Sequence, residues 1–83
     1  MISVEQQETF HTIVDIIAAT LHIEKDRIHV SSTLQDLGAD SLAMVEIILK
    51  LEEQFGIEID DEKAEHLTNV QEVLDYISTL KGL

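Results

Sequence analysis

Ser41 is the side chain in this sequence best placed for chemistry, because Asp40 precedes it and a helical pattern of apolar residues follows it. A serine at the start of a helix lies beside backbone N–H groups that have no partner within the helix, and beside the positive end of the helix dipole. Both features favour an attached phosphate. Gly38 and Ala39 add little bulk nearby, so a modifying enzyme could approach the hydroxyl. The pattern makes Ser41 a favourable position for an added phosphate.

Ser41 could instead be the nucleophile of a hydrolase, and the sequence argues against this. A nucleophilic serine needs a base within reach and an oxyanion hole. The sequence has no Gly-x-Ser-x-Gly turn of the kind that presents such a serine. A chain of 83 residues with a helical pattern also leaves little room for a substrate pocket, and there is no Cys that could react. We therefore do not expect a hydrolase.

Metal binding is the third chemistry that these residue types allow. With no Cys, and with four His of which no two are spaced four apart, a zinc site on a helix is not predicted. The acids in segment 57–62 lack the central glycine that the 12-residue EF-hand calcium loop requires. We expect weak divalent binding to an acidic surface at most, and no dedicated metal site.

Two long helices must place Ser41. Apolar residues at helical spacing predict the first helix over Val4–Leu21, with Ser3 as its N-cap. The second is predicted over Ser41–Phe55, with Asp40 as N-cap and Gly56 as the stop. The intervening residues 22–40 are long for a connection, so we expect an ordered loop that contains a short helical turn.

Two further helices complete the predicted fold. A short third helix is expected over 61–66, and a fourth over 70–80, with Asn69 and Glu72 as a capping pair and Leu80 facing inward. The fold class is therefore predicted as all-α: a small four-helix bundle, with three longer helices plus one short, and a long first loop. We expect residues 1–83 to form one domain.

The second predicted helix has two apolar faces. One stripe is long enough to anchor the helix to a core and consists of Met44, Ile47, Ile48, Leu51 and Phe55. The other is interleaved with acids and comprises Leu42, Val45 and Leu49, together with Glu46, Glu52 and Glu53. Burial of the helix on two sides in a tight bundle would explain the second stripe. A docking face, where acids steer a partner and apolar side chains contact it, would also explain the acids.

The chain is strongly acidic, with 17 acidic residues against five basic ones and a net charge of −12. Residues 36–62 alone contain nine acids, with Lys50 as their one basic residue. Nucleic acid and anionic membranes are therefore poor partners, whereas basic protein surfaces are good ones. No apolar run is long enough for a membrane span, and the N-terminal residues do not resemble a signal peptide. We expect a monomer without membrane insertion that is cytoplasmic, or that lies in an organelle matrix if a transit peptide was removed.

The residues around Ser41 carry a family resemblance. They read Leu37-Gly38-Ala39-Asp40-Ser41-Leu42, which resembles the phosphopantetheine attachment motif of acyl carrier proteins. Similar matches follow at Val45-Glu46, over residues 51–59 and at Asp75-Tyr76-Ile77, so that the resemblance covers about residues 10–80. Asp-Ser-Leu alone is a weak signal, but the flanking residues and the matching length make the resemblance specific.

The resemblance implies a cofactor and a cargo. A phosphopantetheinyl transferase would attach 4′-phosphopantetheine from coenzyme A to Ser41, between Asp40 and Leu42. The terminal thiol of this arm would carry an acyl chain as a thioester. Other enzymes would act on that chain, and the carrier would have no catalytic activity of its own. Members of the family can also shelter the acyl chain between their helices. A cleft of this kind would be lined here by the second helix together with Ile59, Ala64 and Leu67.

The resemblance also implies partners. They are the enzymes of fatty-acid biosynthesis, namely ketosynthase, reductases, dehydratase and acyltransferases, which would bind through basic patches. The recognition residues of the family map to the second and third helices, at Val45, Glu46, Leu49, Glu52, Glu53, Asp61, Glu62 and Glu65. Exposed ion pairs of this kind are individually weak and sensitive to salt, which suits a carrier that must leave each enzyme.

Three departures from the family pattern leave a specialised or secondary carrier open as an alternative to the main fatty-acid carrier. Ala43 stands where the family often has an acid, Lys50 where it often has a small residue, and Asp60 where it often has Pro. The rivals within the family are carriers for polyketide or peptide synthesis and for D-alanine transfer to cell walls. The dense acids and the motif around Ser41 favour the discrete fatty-acid type. Outside the family, the alternative is an acidic helical adaptor that binds a basic partner.

Overall fold

The helices form where the apolar spacing predicts them. The computed structural model describes residues 4–82 of the chain. Its helices are α1 (Val4–Leu21), α2 (Ser41–Phe55), α3 (Asp61–Ala64) and α4 (Val70–Lys81), with a 3-10 helix at Lys25–Arg27. Among these residues, Thr33 and Asn69 form an isolated antiparallel β-bridge. The predicted all-α bundle of three longer helices and one short helix is confirmed.

The ends of α2 and α4 follow from local sequence. Asp40 and Asn69 are extended N-cap residues. The side chain of each accepts a backbone N–H from three residues later, in the first turn of the helix, at 2.8 Å in both cases. Gly56 ends α2 in the left-handed conformation, with φ of 65°, which a glycine adopts without steric cost. These predicted caps are confirmed. The predicted cap of α1, Ser3, lies outside the described residues.

The core lies where α1 packs against α2 and α4. Fifteen apolar side chains from the described part of the chain are buried there. The most deeply buried of them are Ile13, Ile17, Leu34, Ile47, Leu51, Val70, Val73, Leu74 and Ile77. Each such side chain stabilises the fold by about 1.5–3 kcal/mol relative to exposure. The far ends of α2 and α4 also meet, because the Lys81 ammonium lies 5.2 Å from the centre of the Phe55 ring.

The long loop between α1 and α2 is ordered because its backbone pairs with the start of α4. The N–H of Leu34 donates to the carbonyl of Thr68 at 2.9 Å, and the N–H of Val70 donates to the carbonyl of Ser32 at 3.0 Å. Leu34 itself is buried in the core. The predicted ordered loop with a short helical turn is confirmed, and its last residues lead directly into α2.

Two details of the predicted helices are wrong. The third helix ends at Ala64 and not at residue 66, because the next residues continue as a turn in which the N–H of His66 donates to the carbonyl of Lys63. Leu80 does not face inward but is 48% exposed, because it lies in the last turn of α4, past the buried residues of that helix. In the described residues no helix combines the length and apolarity needed to cross a bilayer.

Candidate functional site

Ser41 is the first residue of α2, and its side chain is exposed. The carboxylate of Asp40 accepts the N–H of Ala43 at 2.8 Å, and the carbonyl of Asp40 accepts the N–H of Met44 at 2.9 Å. This cap leaves the earliest N–H groups of the helix free to face a group attached to Ser41. The N-terminal end of α2 therefore presents a reachable hydroxyl in a setting that favours a phosphate.

The turn before Ser41 depends on Gly38. Its φ is +100°, a backbone conformation that residues with a side chain rarely adopt, and no atom lies within 4 Å of where a Cβ would stand. Gly38 is therefore required for the course of the backbone and not for close packing. Its N–H donates to the carbonyl of Gln35, and the N–H of Ala39 donates to the carbonyl of Leu34. These bonds turn the chain so that Asp40 can cap α2.

The second apolar stripe of α2 is exposed. Leu42, Val45 and Leu49 are 68%, 54% and 57% exposed, whereas Ile47 and Leu51 of the first stripe are fully buried. Burial of the helix on two sides is therefore wrong as an explanation of the second stripe. The exposed stripe and the exposed acids Glu46 and Glu53 together form one surface, which we call the α2 face. A surface with this mixture is typical of protein docking sites.

An open groove of about 1080 Å³ runs beside the α2 face and reaches Ser41. Its apolar wall contains the three residues predicted to line a cleft, Ile59, Ala64 and Leu67, opposite side chains of α2 that include Met44 and Ile48. Val45 and Leu49 line the groove as well, so the α2 face and the groove share an edge. A chain attached at Ser41 would find an apolar surface directly next to its attachment point.

The acids predicted on the third helix differ in their position relative to the groove. Asp61 and Glu65 stand at the rim of the groove, whereas Glu62 is exposed but does not line it. All three carboxylates belong to exposed residues. The groove is therefore apolar inside and acidic at its rim on the α3 side, which would attract a basic surface toward its opening.

Glu52 differs from the other predicted partner-binding acids. It is half-buried, it lines the groove, and its Oε2 accepts the N–H of Ile59 at 2.8 Å. The exposed Glu46 and Glu53 accept no hydrogen bond from a described residue. One carboxylate oxygen of Glu52 therefore stabilises the turn after α2 through this hydrogen bond.

Glu72, near the junction between α3 and α4, is the one described residue whose carboxyl pKa is clearly shifted. The hydroxyl and the N–H of Thr68 both donate to Oε1 of Glu72, and these bonds lower the pKa of the Glu72 carboxyl below its usual range. Thr68 also lines the groove. Among the described residues there is no cluster of three or more side chains suited to a metal ion.

Sequence reasoning missed part of the groove. Its rim includes Thr33, Gln35 and Asp36 from the long loop and Thr68 from the junction before α4. Nothing in local spacing identifies these residues, because the loop meets this junction only through tertiary hydrogen bonds. The internal bond of Glu52 was also missed, since it spans seven residues around a turn that helical periodicity does not describe.

Comparison with known proteins agrees with this geometry. The family described as the phosphopantetheine attachment site matches residues 11–77 of the chain. This match includes all of α2 and the groove, and the exposed hydroxyl at the start of α2 fits the attachment of such a group. A phosphopantetheine-carrying domain is therefore the class of protein that the fold and the site define.

Curated relatives refine this class. A protein from Campylobacter hominis named acyl carrier protein is 42% identical over 74 residues, which cover 88% of this chain and 94% of the relative. A second acyl carrier protein, from Campylobacter jejuni subsp. doylei, is 43% identical over 74 residues, which cover 88% of this chain and 96% of that protein. The chain belongs to the acyl carrier protein family, and its cofactor is 4′-phosphopantetheine.

Proposed function

We propose that Ser41 is the attachment residue and that this carrier moves acyl intermediates between the enzymes of fatty-acid biosynthesis. The observation that carries the proposal is the placement of an exposed serine at the N-terminal end of α2, at the mouth of an apolar groove. In the loading reaction the Ser41 oxygen forms a phosphodiester while the pyrophosphate bond of coenzyme A breaks. Adenosine bisphosphate leaves, and the serine proton passes to the transferase or to water.

The residues beside Ser41 have separate tasks in this proposal. Asp40 holds the first turn of α2 through its cap and so fixes the position of the serine. Leu42 is the most exposed apolar residue of the α2 face and offers a contact to the transferase. When bound, the prosthetic arm supplies the thiol that this Cys-free chain lacks. The groove beside Ser41 shelters the acyl chain from water.

In this proposal partner enzymes bind the α2 face and the acids next to it. Val45 and Leu49 give apolar contacts, and the acids on and beside the α2 face attract basic side chains. The acids assigned to this role are Glu46, Glu52, Glu53, Asp61, Glu62 and Glu65. Because most of these carboxylates are exposed, each ion pair is worth about 0–1 kcal/mol and is screened by salt. Short-lived complexes follow, as successive transfers require.

The proposal also covers the compartment, the domain extent and the oligomeric state of the carrier. We place the carrier in the cytoplasm, as one domain over residues 1–83 and as a monomer. Its enzymes would be the transferase that loads it and the ketosynthase, reductases, dehydratase and acyltransferases that process the cargo. The alternative cargo is a polyketide or another specialised acyl group, which Ala43 and Lys50 on the flank of α2 favour, because they make that flank less acidic than the rest of the helix.

Intact mass spectrometry tests the attachment residue. The unmodified protein is incubated with coenzyme A, magnesium and a phosphopantetheinyl transferase, and we expect a gain of one phosphopantetheine. Ser41→Ala should fold, as judged by circular dichroism, and gain nothing. Ser31→Ala, which removes another exposed serine, is the matched control and should be loaded normally. A gain that persists in Ser41→Ala would refute the assignment, and no gain in any variant would favour the acidic adaptor.

A further inference from the structure

One residue, Glu52, holds the turn between α2 and α3. Its backbone carbonyl accepts the N–H groups of Gly56 and Ile57, the latter at 3.1 Å. Its carboxylate accepts the N–H of Ile59 at 2.8 Å. The turn is thus tied to α2 by three hydrogen bonds that all end on the same residue, two on its main chain and one on its side chain.

The side-chain bond is the one that reaches the groove. Ile59 is 7% exposed and packs in the hydrophobic core, while the side chains of Ile59 and Glu52 both line the groove. A buried N–H that loses its acceptor costs free energy, so the backbone at Ile59 would shift to find another partner. A shift of this segment would move one wall of the groove.

We propose that Glu52 is a positioning residue for the acyl chain, in addition to any contact it makes with partner enzymes. Its carboxylate fixes the segment 56–59, which keeps Ile59 in the groove wall and keeps water away from a chain that lies there. This inference rests on the proposed function, because it presumes that an acyl chain on Ser41 enters the groove. It assigns Glu52 a task that its exposed neighbour Glu53, on the same helix, cannot perform.

Two conservative variants separate the hydrogen bond from the charge. Glu52→Asp keeps the charge, but its side chain is one methylene shorter and does not reach the N–H of Ile59 from its fixed place on α2. Glu52→Gln loses the charge but keeps an oxygen that accepts this N–H. Glu58→Asp is the matched control, because it makes the same shortening at an exposed acid that is next to Ile59 but does not line this groove.

The readout is the protection of a bound acyl chain. Each variant is loaded by the transferase with octanoyl-coenzyme A or acetyl-coenzyme A, and the loss of the acyl group to hydroxylamine is followed by intact mass. We expect the octanoyl thioester of Glu52→Asp to be cleaved roughly tenfold faster than that of the unmutated protein, as loss of a hydrogen bond to a charged group implies. The acetyl thioester, which is too short to fill the groove, should be cleaved at an unchanged rate. Glu52→Gln and Glu58→Asp should protect octanoyl normally.

A second measurement does not depend on the cargo. Exchange of the Ile59 amide hydrogen, followed by NMR on the unloaded protein, should be roughly tenfold faster in Glu52→Asp than in Glu52→Gln, while the amide of the buried Ile47 is unchanged. Equal octanoyl protection or equal Ile59 exchange in the two variants would overturn the inference. Equal cleavage of octanoyl and acetyl in the unmutated protein would also overturn it, although loading at Ser41 would stand. Failure of any loading at Ser41 is seen separately, as the absence of a mass gain, and overturns the proposed function and the inference together.

Discussion

Replacement of Asp40 tests how the site is held in place. Oδ1 of Asp40 accepts the N–H of Ala43 at 2.8 Å, and this bond caps the helix that begins at Ser41. Asp40→Ala removes the acceptor. Asp40→Asn keeps an oxygen in the same position, and asparagine caps helices about as well as aspartate does. Both variants lack the charge, so the difference between them isolates the hydrogen bond from electrostatic effects.

The expected difference follows from the geometry of the cap. Loss of an N-cap acceptor costs about 1 kcal/mol, within a range of about 0.5–2 kcal/mol. In a domain of this size, 1 kcal/mol corresponds to a change in Tm of about 4–8 °C. Asp40→Ala should therefore melt about 4–8 °C below Asp40→Asn. Asp40→Asn should lie close to the unmutated protein, lowered by the loss of a charge–dipole interaction worth about 0.3–1 kcal/mol.

Thermal unfolding followed by circular dichroism measures this difference, with urea unfolding as an independent estimate of the free energy. Asp36→Ala is the matched control, because Asp36 is an exposed acid of the same loop whose carboxylate accepts no bond in the described residues. Its free energy of unfolding should change by less than about 0.5 kcal/mol. Equal melting temperatures for Asp40→Ala and Asp40→Asn would refute the cap as the support of Ser41. Loading of the stable Asp40→Asn variant then reports the effect of the charge alone.

Three further predictions concern other parts of the molecule. Leu49→Ala, at an exposed site, should change the free energy of unfolding by less than about 0.5 kcal/mol but slow transfer by partner enzymes. Leu51→Ala, at a fully buried site, should lower the free energy of urea unfolding by about 2–5 kcal/mol, and equal losses for the two variants would contradict the division of α2 into two faces. Because the folded pKa of Glu72 is lowered, its contribution to stability is present above its unfolded pKa of about 4.3 and is lost as the pH falls through the folded value. Thr68→Val should therefore be less stable than the unmutated protein at pH 7, and the two should converge in acid; a difference independent of pH would count against this bond. His22→Gly should raise the free energy of unfolding by about 1 kcal/mol, because His22, the residue after the end of α1, has φ of 57°, a conformation that disfavours a side chain; no gain would show that His22 makes a compensating contact.

The helices and the motif at Ser41 could be predicted from the sequence because their causes are local. A helix depends on apolar spacing over three or four residues, and a cap depends on a side chain and an N–H three residues later. Asp40, Gly56 and Asn69 carry such signals and lie where they were expected. Local patterns are less decisive at helix ends. Apolar spacing defines the face of a helix but not the residue at which helical hydrogen bonding or burial stops, so the end of α3 at Ala64 and the exposure of Leu80 differ from the prediction.

The sequence by itself therefore determined that the chain is an acidic helical bundle with a serine set at the start of α2, and that α2 has two apolar stripes. Only the tertiary structure decided which stripe is free, since burial of Ile47 and exposure of Leu49 depend on where α1 and α4 pack. It also decided that Glu52 turns its carboxylate inward to Ile59. The groove exists for the same reason: its walls come from segments far apart in the chain, and their distance is set by packing in the core and not by any spacing within a helix.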